Sequence, residues 1–361
     1  MSKFNILKRL FNSKFVFTKP KQKKVLIYDR EREHFCKIFF SNKNCEFLDS
    51  RYESINIYVI FYTLFKSGFI NFKDSYKKYY IDLVSPKIVF SAIDNSPSFY
   101  NLKNLNNKPL YISFQYGMRD NQFYNECKNY IKKTKKKLKA DYIFLFGENE
   151  KKRFSKIIEG KIYGYGNATN NYYYLKKNKN QNKIDSIMYV SIYNATTSTF
   201  DQDKKIFNFL INFCKKRKIR LSFCSKFDST KEDFFRKNLK KSNWIYLPHV
   251  NSTKTYSNLN KQKMVVFTYS TLGFEALAKG LRCAAFYKNF PIHGNYTRYP
   301  KSGVFWSNSS KYIDIEKTLN RVINFSDKKW KNVVKKYSRE ILNYGPRNIK
   351  TKIALNNILK N

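Results

Sequence analysis

The feature that most constrains this chain is a rhythm. Short apolar runs alternate with stretches of helical periodicity, in two successive sets. The first set starts with Val25-Leu26-Ile27-Tyr28-Asp29, a buried strand ending in a carboxylate. A helix over Ile55 to Phe65 stops near Gly68, and strands follow at Lys87 to Ser91 and Leu110 to Phe114. A long polar helix pattern runs from Asn121 to Lys137, then come strand Tyr142 to Gly147, a helix opening near Glu148, and strand Ile162 to Gly166. Residues 167 to 184, rich in Asn, Lys and Tyr without a clear period, read as a linker. The rhythm then restarts with strands at Ile187 to Ser191, Ile219 to Phe223, Trp244 to Leu247, Met264 to Phe267 and Arg282 to Phe286. Helices fall over Lys204 to Lys216, Lys231 to Leu239, Ser270 to Lys279, 313 to 324 and 327 to 343.

Buried strands alternating with helices predict two α/β domains with parallel sheets. The expected boundaries are a basic amphipathic segment over 1–23, a first domain over 24–166, the linker over 167–184, a second domain over 185–325, and C-terminal helices over 326–361 packing back on the first domain. Ligands of such sheets sit at the carboxyl ends of the strands. The search for chemistry therefore narrows to the loops that follow strands, with those ends expected to face each other across a cleft.

Composition excludes several classes. With 33 Phe and 29 Tyr the chain can fill a large core, unlike a disordered tail, and 11 Gly with 8 Pro exclude a collagen-like chain. Lys and Arg number 71 against 26 Asp and Glu, a net charge of +45. Such a charge suits an anionic partner, phosphate or lipid, or reflects compositional drift that puts lysine on solvated faces. The basic residues are spread along the whole chain, and no RRM, KH, zinc-finger or helix-turn-helix signature accompanies them, which argues against nucleic acid. The six cysteines form no CxxC pair and only three histidines exist, so no structural zinc site is expected. Cys214, Cys224 and Cys283 read as buried thiols of a reducing compartment. No signal peptide and no run of 18 apolar residues is visible, so a cytoplasmic location is expected. Residues 4 to 17 set Phe4, Leu7, Leu10, Phe11, Phe15 and Phe17 beside Lys3, Lys8, Arg9 and Lys14; as a short helix they would suit the headgroup layer of the inner membrane face or pack on the domain.

The most informative segment is Thr268 to Gly280. It follows a buried strand and opens a helix with Ser270 and Thr271 at its cap, where backbone N–H groups and the helix dipole favour an anion. Gly273 would admit a close ligand, and Glu275 could accept from ribose hydroxyls. Cations to stabilise a leaving phosphate are Arg119, Lys226 and Arg298, with His249 as a hydrogen-bond donor. A base is sought among carboxylates at strand ends: Asp29 first, then Glu31, then Asp120, with Glu33 and Asp94 behind them. Ion pairing with Arg30 and Arg32 is the competing role for the first cluster. Gln115 and Gly117 would shape an acceptor side, His293-Gly294-Asn295 would close over a donor or form a turn, and Tyr172 to Tyr174 would stack on a sugar or pack.

The run YSTLGFEALAKGLRCAAF (269–286) resembles the C-terminal donor segment of bacterial surface-carbohydrate glycosyltransferases of the GT-B type, related to the Kdo transferases of capsule and lipopolysaccharide. ISFQYGMRD (112–120) and DYIFLFGENEKKRFSKIIEGKIYGYGNATNN (141–171) support it. The resemblance implies two Rossmann-like domains, the second holding a nucleotide sugar through Ser270, Thr271 and Glu275 and the first a glycan or lipid-linked acceptor. It implies a CMP-activated sugar as leading donor and neither metal nor cofactor, while the basic surface and the amphipathic start of the chain would dock it near anionic lipid. A CDP-polyol phosphotransferase using the same helix end, a nucleic-acid-binding protein, and a non-catalytic GT-B module are the alternatives.

Overall fold

A computed structural model describes residues 12–30, 33–50, 53–119, 121–174, 184–191, 193, 200–268, 270–286 and 302–360. The chain divides into two compact units, unit 1 comprising residues 1–169 with 349–361 and unit 2 residues 170–348.

Unit 1 opens with β1 (Lys14–Val16), β2 (Val25–Tyr28), β3 (Cys45–Leu48) and β4 (Ser54–Asn56). It continues with β5 (Ile88–Ser91), β6 (Leu110–Phe114), β7 (Leu138–Leu145) and β8 (Ile158–Gly164). Six of these make one sheet, order β3-β2-β5-β6-β7-β8, every pair parallel. The connections cross over the faces in helices Ile57–Ser67, Phe72–Val84, Pro97–Leu105, Asn121–Thr134 and Glu148–Phe154. All four residues of both β2 and β5 are buried, which is why they read as unbroken apolar runs. One face of the sheet packs Leu26, Val89, Tyr111 and Ile143 into a core, the other Ile27, Phe90, Ile112 and Phe144. The second core is closed by Leu355 and Ile358 of the late helix Ile349–Lys360.

Unit 2 holds β9 (Ser186–Val190), β10 (Arg220–Cys224), β11 (Ile245–Leu247), β12 (Met264–Phe267), β13 (Arg282–Phe286) and β14 (Trp306–Ser307). Their order is β11-β10-β9-β12-β13-β14, again all parallel. Buried Arg282 fastens the end of this unit, donating to the carbonyls of Val322 and Phe325 and to Asp327 Oδ1 at 2.6, 2.7 and 3.0 Å. Each unit is thus a Rossmann-like α/β sheet.

Two local expectations are corrected. Lys14–Val16 is a strand, not part of a helix, because it pairs in parallel with Ser54–Asn56, a partner about forty residues away that periodicity cannot reveal. The expected linker is helical at its start, over Ala168–Tyr172, with Asn167 Oδ1 accepting from the Thr169 N–H at 2.8 Å. All six cysteines are free and buried, and burial pushes the Cys214 and Cys224 thiols up to about 12. Among the described residues no helix is long and apolar enough to cross a membrane.

Candidate functional site

In unit 2 the chain leaves β9 toward β10 and β11, then returns to place β12 on the other side of β9. At such a reversal the loops after the two strands part and leave a crevice at their carboxyl ends. Helix Thr271–Ala278 opens there, directly after β12. Ser270 precedes it in extended conformation, and its carbonyl accepts from the N–H groups of Gly273 and Phe274 at 3.1 and 3.3 Å. The Ser270 hydroxyl makes no capping bond to the helix, and Ser270 and Thr271 are half-buried. The positive end of a helix dipole is therefore presented beside two hydroxyl side chains.

The ends of β9 and β12 meet on Asp203, which the sequence reading did not single out. It is fully buried and accepts from the hydroxyls of Tyr189 at 2.6 Å and Ser191 at 2.5 Å, the Tyr193 N–H at 3.2 Å and Thr268 Oγ1 at 3.4 Å. One carboxylate thereby pins the ends of β9 and β12 together. A buried charge is tolerable only with such a set of donors.

Glu275 lies one turn into the helix and is buried, its Oε2 accepting from the Tyr256 hydroxyl at 2.8 Å. Burial pushes its carboxyl up to about 7, the Tyr256 bond and the Lys279 charge opposing. Burial likewise brings Lys279 down to about 8, opposed by Glu275. The Lys279 ammonium donates to the Tyr173 carbonyl and lies 4.9 Å from the Tyr256 ring centroid, while Tyr173 stacks on Tyr256 at 4.9 Å. In this structure Glu275 holds the helix against Ser252–Asn260 rather than reaching into solvent. Gly273 has a packing role: a Cβ there would stand 2.2 Å from the Phe267 ring.

The other residues expected on the donor side lie on loops after neighbouring strands of the same sheet. Lys226 follows β10 and is exposed; His249 follows β11 and is exposed. The His249 N–H donates to the Phe227 carbonyl at 2.7 Å, and its Nδ1 is 3.3 Å from Thr255 Oγ1. Lys226, His249, Ser270 and Thr271 thus share the carboxyl end of the sheet.

Unit 1 has its own reversal between β2 and β5. Asp29, just after β2, is buried at φ 77° and accepts from Ser50 Oγ at 2.7 Å. Asp94, beyond β5, is fully buried; Arg119 donates to it through Nε and Nη2, both at 2.6 Å, and the Tyr116 N–H at 3.1 Å. Arg119 is accordingly held in the charged form, its charge matched locally by Asp94. Gln115 is buried, its Oε1 accepting from the Phe146 N–H at 2.8 Å and its Nε2 donating to the Gly117 carbonyl at 3.0 Å. It ties the end of β6 to that of β7. Beside them Glu150 accepts from the Tyr124 hydroxyl at 2.6 Å, and burial pushes its carboxyl up to about 6. Glu150 gave no signal beyond its place in the first turn of a helix.

Glu31, Asp120, Arg298 and His293-Gly294-Asn295 lie outside the described residues. Among those described, no group of three His, Cys, Asp or Glu side chains is placed to hold a metal ion.

Two Rossmann-like units of parallel strands define the GT-B class of fold, and the solved structures agree. Over 94% of its length the chain is similar to a Listeria monocytogenes protein described as a "putative UDP-N-acetylglucosamine 2-epimerase" (TM-score 0.57, 12% identity, 95% of that chain covered). It is similar over the same share to the UDP-GlcNAc 2-epimerase of Neisseria meningitidis bound to UDP-GlcNAc (TM-score 0.55, 10% identity, 100% of that chain). Sucrose-phosphate synthase of Thermosynechococcus elongatus matches at TM-score 0.52 and 10% identity, with 94% of this chain and 100% of that one covered. By sequence, residues 195–359 match a family described as "putative O-antigen biosynthesis protein". No curated protein matches the sequence.

Proposed function

We propose that this protein is a GT-B glycosyltransferase of surface-carbohydrate biosynthesis that takes a nucleotide sugar as donor and a glycan as acceptor. The observation that carries the reading is helix Thr271–Ala278 opening at the reversal point between β9 and β12. The match of residues 195–359 to an O-antigen biosynthesis family supports the process, and the nucleotide-sugar enzymes among the fold neighbours support the donor class.

The donor phosphates fall to the helix N-terminus with Ser270 and Thr271, and Lys226 and His249 supply positive charge and a hydrogen bond as the nucleotide leaves. Glu275 positions the helix through Tyr256, and Gly273 lets it lie close on β12. In the transfer the acceptor oxygen bonds to the anomeric carbon, and the bond from that carbon to the phosphate oxygen breaks. The nucleotide takes the electron pair, and the hydroxyl proton goes to a carboxylate, Asp29 first, then Glu31 or Asp120. Gln115, Gly117 and Arg119 shape the acceptor side. The donor we favour is a CMP-activated acidic sugar of the Kdo kind, and the acceptor a growing polysaccharide or lipopolysaccharide.

A nucleotide-sugar epimerase is the second reading, favoured by the 2-epimerases among the fold neighbours. A melting panel with CMP, CDP, UDP and GDP at fixed salt tests both. A true ligand at roughly 100-fold excess over its dissociation constant stabilises by about 2.7 kcal/mol. We expect one nucleotide to do so, and Ser270→Ala with Thr271→Val to weaken it about tenfold, the loss of roughly one charge-assisted hydrogen bond. The cognate sugar nucleotide is then followed by NMR. Consumption that requires an added glycan supports transfer, whereas isomerisation without an acceptor supports the epimerase. No response to any nucleotide overturns both.

A further inference from the structure

Helix Ile57–Ser67 reads IYVIFYTLFKS, with one charged residue, and its fully buried side consists of Val59 and Thr63 alone. Tyr58, Phe61 and Phe65, spaced by three and four, share the opposite face. Phe61 is 67% exposed and Phe65 82%. The turn that ends the helix at Gly68 continues the surface with Phe69 and Ile70, exposed by 84% and 77%. On the other side stands β1, whose partner β4 runs straight into the helix. β1 and the residue after it add Phe15 and Phe17. The Thr18 carbonyl accepts at 3.0 Å from Asn56 Nδ2, the residue that caps this helix, so the two segments are fastened side by side. Single exposed apolar residues are ordinary on a protein surface; this many exposed aromatic residues on adjoining segments mark an interaction site.

The charge around it selects the partner. Residues 12–24 and 57–73 contain seven lysines and no acidic residue, against the adjoining Glu53 and Asp74. Lys66 Nζ lies 5.8 Å from the centroid of the Phe65 ring and 6.0 Å from that of Tyr62, cation beside aromatic. A second copy of this surface would bring like charges together. Aromatic rings with a lysine fringe match a lipid headgroup layer of negative charge, where rings enter the acyl boundary and ammonium groups meet phosphate.

We propose that the exposed aromatic face of helix Ile57–Ser67, with the Phe69-Ile70 turn and Phe15 and Phe17 beside it, docks the protein on an anionic lipid bilayer. The contact is peripheral and independent of which reaction the protein performs.

The test is co-sedimentation of the full chain with phosphatidylcholine vesicles with and without phosphatidylglycerol. Wild type is expected to bind the anionic vesicles and to be left in the supernatant by the neutral ones. Phe65→Ser with Phe69→Ser should weaken binding about tenfold or more, as loss of two buried rings requires. Lys66→Glu with Lys73→Glu should do the same at low salt, and Ile313→Ser, an exposed apolar residue of unit 2, should change nothing. Melting curves establish that each variant is folded; if the Phe pair is not, the exposed lysine pair decides. The proposal is overturned if wild type ignores anionic vesicles or if folded patch variants bind as well as wild type. It is equally overturned if deleting residues 1–11 removes binding that the patch variants retain, or if the patch variants abolish a dimer rather than vesicle binding. Nucleotide-dependent melting of the same variants, expected to be unchanged, separates this result from the fate of the proposed function.

Discussion

Glu275 is where a single side chain ties stability to pH. Its carboxyl titrates near 7 in the folded chain against 4.5 when solvated. A group whose folded value is raised gives stability that is complete below the unfolded value and lost as pH rises through the folded one. Wild type should therefore lose on the order of 3 kcal/mol relative to Glu275→Gln between pH 4.5 and pH 7.5. Lys279, brought down to about 8, keeps its charge over most of that window. Glu150 titrates in the same direction in both proteins and cancels. Urea unfolding of the two at several pH values reads the difference; a constant difference would mean that Glu275 is hydrated in solution. Its place in the motif was legible, because a carboxylate a turn beyond a Ser-Thr cap stands out in a chain with few acids. Its partner was not: Tyr256 lies on another helix, and nothing in its neighbourhood of Ser, Thr and Asn points to a buried hydrogen bond. Asp203 was hidden for the same reason, since donors to it come from β9, the segment after β9 and Thr268 just beyond β12.

At the scale of the element, helix Thr271–Ala278 is set by how closely it lies on β12. Phe267, fully buried at the end of the strand, occupies the space a side chain at position 273 would need. Gly273→Ala should destabilise the protein by about 1–3 kcal/mol, the usual consequence of overpacking, measured as a lower urea midpoint at unchanged slope. Phe267→Leu in the same chain should recover part of the loss, and an unperturbed Gly273→Ala would mean that the helix stands off the strand. The sequence showed this glycine as room for a ligand, since only the fold reveals which ring faces it. Buried parallel strands were the most legible elements, because both faces are covered and apolar runs result. The strand at Lys14–Val16 was the least, its three residues depending wholly on a partner remote in sequence.

For the molecule as a whole, 71 cations against 26 anions means that folding gathers like charge. Self-repulsion of this kind opposes the compact state and is screened over about 10 Å at 0.1 M salt. The melting temperature should rise as sodium chloride is increased from about 20 mM to 300 mM, where the screening length falls well below the molecular dimension. A flat response in calorimetry would show the lysines too dispersed to repel. The two-set architecture was readable from alternation alone, whereas the aromatic face on Ile57–Ser67 was not, because a helix apolar all round reads as buried until its neighbours are known. The assignment of Ile349–Lys360 to unit 1 carries a consequence for biosynthesis. Leu355 and Ile358 complete a core whose other members were translated hundreds of residues earlier. On the ribosome, the unit made first can seal that core only after the whole of unit 2 has emerged, so the nascent chain must carry an open apolar face while unit 2 is being made.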